Sequence, residues 1–123
     1  MIKKDPLFAS LKEIVGRKRL LTRDRDTEPY RRGYREGYGP ALAVVLPSTL
    51  LEQFKVLQVC IAANVNIIMQ AANTGLTGGS TPTEGIDRHT IIINISAIDT
   101  IHYLDQYDQI VALSGATLLE PRL

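Results

Sequence analysis

Ile67-Ile68-Met69-Gln70-Ala71-Ala72-Asn73-Thr74-Gly75-Leu76-Thr77-Gly78-Gly79-Ser80 decides the reading of this chain. The apolar run Ile67-Ile68-Met69 has the pattern of a buried strand. A series of small residues with almost no charge follows it. Without bulky Cβ substituents, successive backbone N–H groups can converge on one point. Such a concavity attracts phosphate oxygens. Gly75, Gly78 and Gly79 are expected to supply the positive φ that a concavity of this kind needs. A diphosphate-containing cofactor is the ligand to expect.

Working outward, Leu42-Ala43-Val44-Val45-Leu46 reads as a second buried strand, ended by Pro47. Between the two strands, Leu50, Phe54, Leu57 and Ile61 fall at the spacing of a core-facing helical stripe. Ser48 is the expected N-cap, with Glu52 adding negative charge to the first turn. Asn64 or Asn66 ends that helix. Strand, helix and strand make a βαβ unit with parallel strands. The glycine-rich loop then lies beyond the C-terminal end of the second strand, where open α/β sheets commonly bind ligands. Ile91-Ile92-Ile93-Asn94-Ile95, Thr100 to Leu104 and Gln109 to Leu113 read as further strands. Asp105-Gln106-Tyr107-Asp108 has turn chemistry between the last two. The expected class is therefore α+β, a βαβ unit followed by a β meander.

Before position 41 the sequence is charged. Leu7, Leu11, Ile14 and Val15 mark a short amphipathic helix, opened by Asp5-Pro6 and closed at Gly16. Eleven of the 14 basic residues precede position 37, interleaved with six acids. This is the pattern of a mixed, solvated surface. A contact with anionic lipid is the functional alternative. Tyr30, Tyr34 and Tyr38 recur every four residues and are expected to pack on the domain edge along one side of a loose helical turn.

Composition narrows the rest. The net charge is +1 in 123 residues, so nothing global points to nucleic acid. One cysteine, Cys60, leaves no internal disulfide and no cysteine-based metal site. Cys60 is read as a small buried hydrophobe. His89 and His102 have no partners at metal-ligand or nucleophile spacing, and no metal site is expected. No apolar h-region or membrane-length run is visible, so the expected location is cytoplasmic. The loop has neither the Walker A lysine nor the GxGxxG spacing.

The segment Gln70 to Ser80 resembles the diphosphate loop of FAD enzymes of the p-cresol methylhydroxylase and vanillyl-alcohol oxidase type. Its narrower form, Met-Gln-Ala-Ala-Asn-Thr-Gly-Leu-Thr with Gly-Ser-Thr-Pro after it, resembles the quinone-dependent D-lactate dehydrogenases of bacterial membranes. Tyr30-Arg31-Arg32-Gly33-Tyr34-Arg35, Ala41 to Pro47, Leu50-Leu51-Glu52 and Gly115-Ala116-Thr117-Leu118 match the same family in the same order. The resemblance implies the N-terminal half of a p-cresol-methylhydroxylase-type FAD-binding domain, with FAD as cofactor. By it, Ala71, Ala72, Asn73, Thr74, Gly75, Gly79 and Ser80 contact FAD. Most of these contacts are expected from backbone N–H groups, with Thr74 and Ser80 able to add hydroxyls. Asn73 is the residue best suited to a left-handed conformation there.

The family further implies a whole protein that oxidises D-lactate to pyruvate and passes electrons to a membrane quinone. That protein would be peripheral on the cytoplasmic face of the inner membrane, with an anionic membrane surface as partner. The chain divides, on this reading, into a helix and charged lead-in (1–40), an FAD-diphosphate subdomain (41–119) and an atypical end (120–123). Glu120-Pro121-Arg122-Leu123 departs from the family, so a truncated, inactive fragment with no catalytic residue is expected. Alone, it is expected to expose an apolar face or a free sheet edge and to associate. The alternatives are a non-catalytic nucleotide-binding or interaction module, and an FAD oxidase for another 2-hydroxy acid.

Overall fold

A computed structural model describes residues 4–118, apart from the side chain of Tyr107. The order is α1 (Lys4–Val15), β1 (Leu20–Leu21), α2 (Asp24–Arg31), β2 (Ala43–Val45), α3 (Leu50–Ala62), β3 (Asn66–Gln70), β4 (Thr90–Asn94), β5 (Ile101–Leu104) and β6 (Gln109–Ala112). Short 3-10 turns occupy Arg17–Arg19 and Asp105–Tyr107. The class is α+β, as the sequence indicates.

The main sheet runs β1-β2-β4-β3. Strands β2 and β3 are parallel, as a βαβ unit requires, but β4 lies between them and pairs in parallel with both. It therefore does not open a meander. The reason is in its side chains: all five residues, Thr90 to Asn94, are buried. A strand apolar on both faces belongs at the centre of a covered parallel sheet. Strands β5 and β6 form a separate antiparallel hairpin, with Ile101 opposite Ala112. The fourth turn residue expected there, Asp108, is left-handed at φ 47°.

Alternation along the strands splits the sheet into two faces. Ala43, Val45, Ile91 and Ile93 point toward α1 and α3, joining Leu7, Leu11, Val15, Val56, Cys60 and Val65 in one core. Val44 and Ile92 face the other way and are equally buried. Helix α2 covers that second face. The sequence does not announce α2, because only Thr27 and Arg31 of its eight residues are buried.

Helix α3 differs from its expected orientation. Leu50, Phe54 (57% exposed) and Ile61 (68% exposed) face solvent, while Val56 and Cys60 face the core. Two apolar stripes compete on this helix. The smaller side chains win the inner position because α3 packs directly against α1 as well as the sheet. The N-cap is also one residue later than expected. Thr49 Oγ1 accepts from Glu52 N, and Glu52 Oε1 reaches back to accept from Ser48 N at 2.9 Å and Ser48 Oγ at 3.0 Å. The helix ends at Ala62, with Asn64 left-handed at φ 55° just beyond. Ser114 and Gly115 form a turn, and the atypical end at 120–123 lies outside the described residues.

Candidate functional site

The site grows from one pair of facing side chains. Gln70 is the last residue of β3 and Asn94 the last of β4, and the register sets them directly opposite each other. Both are polar and nearly fully buried, at 2% and 3% exposure. Burial of an amide is tolerated only when its hydrogen bonds are made. Gln70 Nε2 donates to Tyr30 O at 2.8 Å and to Ser80 O at 2.9 Å. Its Oε1 accepts from Asn94 Nδ2 at 2.9 Å. Asn94 Nδ2 also donates to Ala71 O at 3.0 Å, and Asn94 Oδ1 accepts from Ser96 N at 3.1 Å. All four amide hydrogens are therefore used.

These bonds hold both arms of the small-residue loop. Ala71 at its start and Ser80 at its end are tied to the same amide pair. Asn73 closes the loop across its middle, accepting from Ser80 Oγ at 2.8 Å. Asn73 Nδ2 donates to Arg32 O at 2.8 Å, which fixes the loop to the segment after α2. Asn73 is left-handed at φ 56°, as its side chain suits, and Gly78 has φ 73°. Gly75 and Gly79 do not take positive φ. Ala71 and Ala72 keep negative φ, which their Cβ atoms require.

Among the described residues, no backbone N–H from Ala72 to Ser80 donates to a protein acceptor. A run of donors at the C-terminal end of a parallel strand, held from both sides yet unpaired, fits an anionic ligand. The hydroxyl hydrogen of Ser80 is already directed at Asn73, so a contact from Ser80 to a ligand falls to its N–H.

A cleft of about 380 Å³ opens here, with Ala71, Ala72 and Asn73 on one side and Arg32, Gly33 and Tyr34 on the other. The second wall comes from the charged lead-in. Helix α2 stops at Arg31, so Tyr30, Tyr34 and Tyr38 do not share one helical face. Gly33 N donates to Gly37 O at 2.8 Å, and Arg32 bridges Tyr38 in antiparallel fashion, making a tight turn. Buried Arg31 anchors this turn, donating to Tyr38 OH at 3.0 Å, to Thr27 Oγ1 at 3.1 Å and to Asp24 Oδ1 at 2.9 Å. The Arg32 guanidinium lies 4.9 Å from the Tyr38 ring centre and is paired with Glu28 at 2.8 Å. At Gly37, with φ 96°, an added Cβ would overlap Thr81 Oγ1, so the turn packs tightly on the far arm of the loop.

Other candidates lie elsewhere. His89 and His102 are exposed and far apart in the chain. Cys60 is buried, and burial pushes its thiol up to about 11, which makes it unreactive at neutral pH. Among the described residues no His, Cys, Asp and Glu cluster could hold a metal ion. No helix among the described residues is long and apolar enough to cross a membrane. A groove of about 800 Å³ between α1 and β1 carries Lys12, Arg17, Lys18 and Arg23 around Phe8, Leu20 and Leu21.

The fold and the loop together define a class. The chain superposes on p-cresol methylhydroxylase with substrate bound at a TM-score of 0.74, with 15% identity, over 93% of this chain and 22% of that one. Alkyldihydroxyacetonephosphate synthase (TM-score 0.74, 16% identity, 85% of this chain and 21% of that one) is similar as well. So is 4-ethylphenol oxidase from Gulosibacter chungangensis (0.74, 13%, 92% and 22%). The fold is that of the p-cresol-methylhydroxylase-type FAD-binding domain. No family model matches the chain.

Sequence relatives carry the identification one step further. Quinone-dependent D-lactate dehydrogenase of Haemophilus influenzae is 48% identical over 115 residues, 93% of this chain and 20% of the relative. The Escherichia coli K12 protein of that name is 48% identical over 109 residues, 88% of this chain and 19% of the relative. The Corynebacterium glutamicum one is 44% identical over 110 residues, 89% and 19%. The chain is thus a homologue of quinone-dependent D-lactate dehydrogenases along most of its length, and it spans about a fifth of theirs.

Proposed function

We propose that this chain is part of the FAD-binding domain of a flavoprotein that oxidises D-lactate to pyruvate and passes the electrons to a membrane quinone. The observation that carries it is the row of unpaired N–H groups between Ala72 and Ser80, held open by buried side chains. Residues Ala71, Ala72, Asn73, Thr74 and Gly75 on one arm, with Gly79 and Ser80 on the other, would hold the FAD diphosphate. When bound, FAD supplies the acceptor for the electrons of the 2-hydroxy acid. The chain's own contribution is binding and orientation; it carries no assigned catalytic residue. Residues 41–119 form the diphosphate subdomain, and 1–40 are its lead-in, from which Arg32 to Tyr34 line the same cleft.

The basic groove between α1 and β1 supports contact with an anionic membrane surface, and hence a peripheral position on the cytoplasmic face of the inner membrane. Four cations there face two acids, Asp5 and Asp26, and Asp26 is already paired with Arg23 at 2.6 Å.

A second reading, an enzyme for another 2-hydroxy acid, has its own support. D-2-hydroxyglutarate dehydrogenase of Arabidopsis thaliana is 27% identical over 129 residues, 98% of this chain. The whole protein that carries this chain tests both. Its flavin absorbance should bleach when D-lactate is added without oxygen. A colourless protein contradicts the flavin reading; bleaching by D-2-hydroxyglutarate and not by D-lactate favours the second one.

A further inference from the structure

We propose that Gln70 and Asn94 are positioning residues: their amide pair sets the shape of the loop and through it the affinity for the cofactor. The last step rests on the flavin reading above; the first does not.

The geometry singles the pair out. A buried glutamine needs partners for two N–H groups and a carbonyl, but nothing requires that they come from three different segments. Here it joins the end of α2 at Tyr30, the far arm of the loop at Ser80 and the neighbouring strand at Asn94. Asn94 adds the near arm at Ala71, and Ser96 Oγ donates to the same Ala71 carbonyl at 3.0 Å. The backbone repeats the connection, since Ile95 N donates to Gln70 O at 2.8 Å. Both loop arms and one cleft wall thus hang on two side chains. The orientation of the Gln70 amide is fixed too. A flipped amide would turn its oxygen toward two carbonyls, Tyr30 O and Ser80 O.

The loop needs this support from outside itself. Among the described residues, its N–H groups from Ala72 to Ser80 donate to no protein acceptor, so the loop's own backbone does little to order it. A donor row of that kind binds an anion well only if it is ordered beforehand, because ordering it on binding costs affinity. The other end of the same two strands has a simpler arrangement. Asn66 Nδ2 donates to Thr90 Oγ1 at 3.1 Å, and that bond reaches no loop arm. It is the natural control.

The test compares three forms of the full chain by NMR relaxation: wild type, Gln70→Met and Asn66→Ala. Methionine keeps the volume and removes the amide. In wild type the backbone order parameters from 72 to 80 should lie near those of rigid backbone, about 0.85. In Gln70→Met they should fall below about 0.6, while the sheet stays ordered. Asn66→Ala should leave them unchanged. Titration with FAD should show roughly tenfold weaker binding to Gln70→Met and unchanged binding to Asn66→Ala. If Gln70→Met fails to fold, Asn94→Ala removes the links to Gln70, Ala71 and Ser96 N, leaves the Gln70 bonds to Tyr30 and Ser80 in place, and should loosen the loop in the same direction. An ordered loop in a folded Gln70→Met or Asn94→Ala overturns the proposal, as does equal loosening in Asn66→Ala. The order parameters decide this whether or not the chain takes up FAD. Failure of wild type to bind FAD counts against the functional reading alone.

Discussion

Strands β3 and β4 are paired over five residues, and their two ends are built differently. At the N-terminal end, Asn66 and Thr90 share one hydrogen bond across the register. At the C-terminal end, Gln70 and Asn94 gather the loop, α2 and residue 96 into one buried network. Sequence distance between the two pairs is only four residues on each strand. The difference shows where this chain concentrates its buried polarity: at the end from which the donor loop leaves. A polar core pair is costly unless fully satisfied, so its placement marks the part of the fold whose geometry must be fixed.

The comparison is broken most sharply by charge. Gln70→Glu replaces two donors with an acceptor that faces Tyr30 O and Ser80 O. It should cost on the order of 3 kcal/mol in urea unfolding, because it leaves buried carbonyls unpaired and adds repulsion. Asn66→Ala, at the opposite end, should cost about 1 kcal/mol or less. Equal costs at the two ends would remove the distinction.

The glycines give a second contrast, between the wall of the cleft and the loop it faces. Gly37→Ala meets both a positive φ and the Thr81 hydroxyl, and should lower stability by roughly 2 kcal/mol. Gly75→Ala has open space and no positive φ. It should change stability by less than about 0.5 kcal/mol. A thermal melt series on the two variants separates them.

The smallest effect at neutral pH involves the other face of the sheet. The Cys60 thiol is pushed up to about 11 by burial, against an ordinary 9.0. In the folded state it stays protonated where the unfolded chain has already ionised. Its contribution to stability is thus complete below about 9 and is lost as pH rises toward about 11. Denaturant unfolding across that window should show a downward slope, and Cys60→Ala should reduce it. Thiol labelling at neutral pH should be slow in the native state and fast in urea.

The two stretches of the chain were not equally legible. The strands could be read because Ala43 to Val45, Ile67 to Met69 and Ile91 to Ile93 are runs of apolar, mostly β-branched residues. The loop and its left-handed Asn73 followed from small side chains. Helix α2 was hidden, since its exposed charges give no apolar stripe and its buried anchor is an arginine. The inner face of α3 was misassigned because large apolar side chains outnumber the small ones that packing against α1 selects. Leu50, Phe54 and Ile61 remain exposed. The central place of β4 had a local mark, Ile91 to Ile93 being apolar on both faces, but the order of the strands needed register.

Residue-resolved amide shifts of the full chain on titration with FAD address the site most directly, since they register weak binding as well as tight. Shifts should concentrate at 71–75 and at 79–80, with little change at Asn66 and Thr90 on the opposite end of the same strands. Shifts centred on that opposite end, or none at all in the loop at saturating FAD, would contradict the assignment.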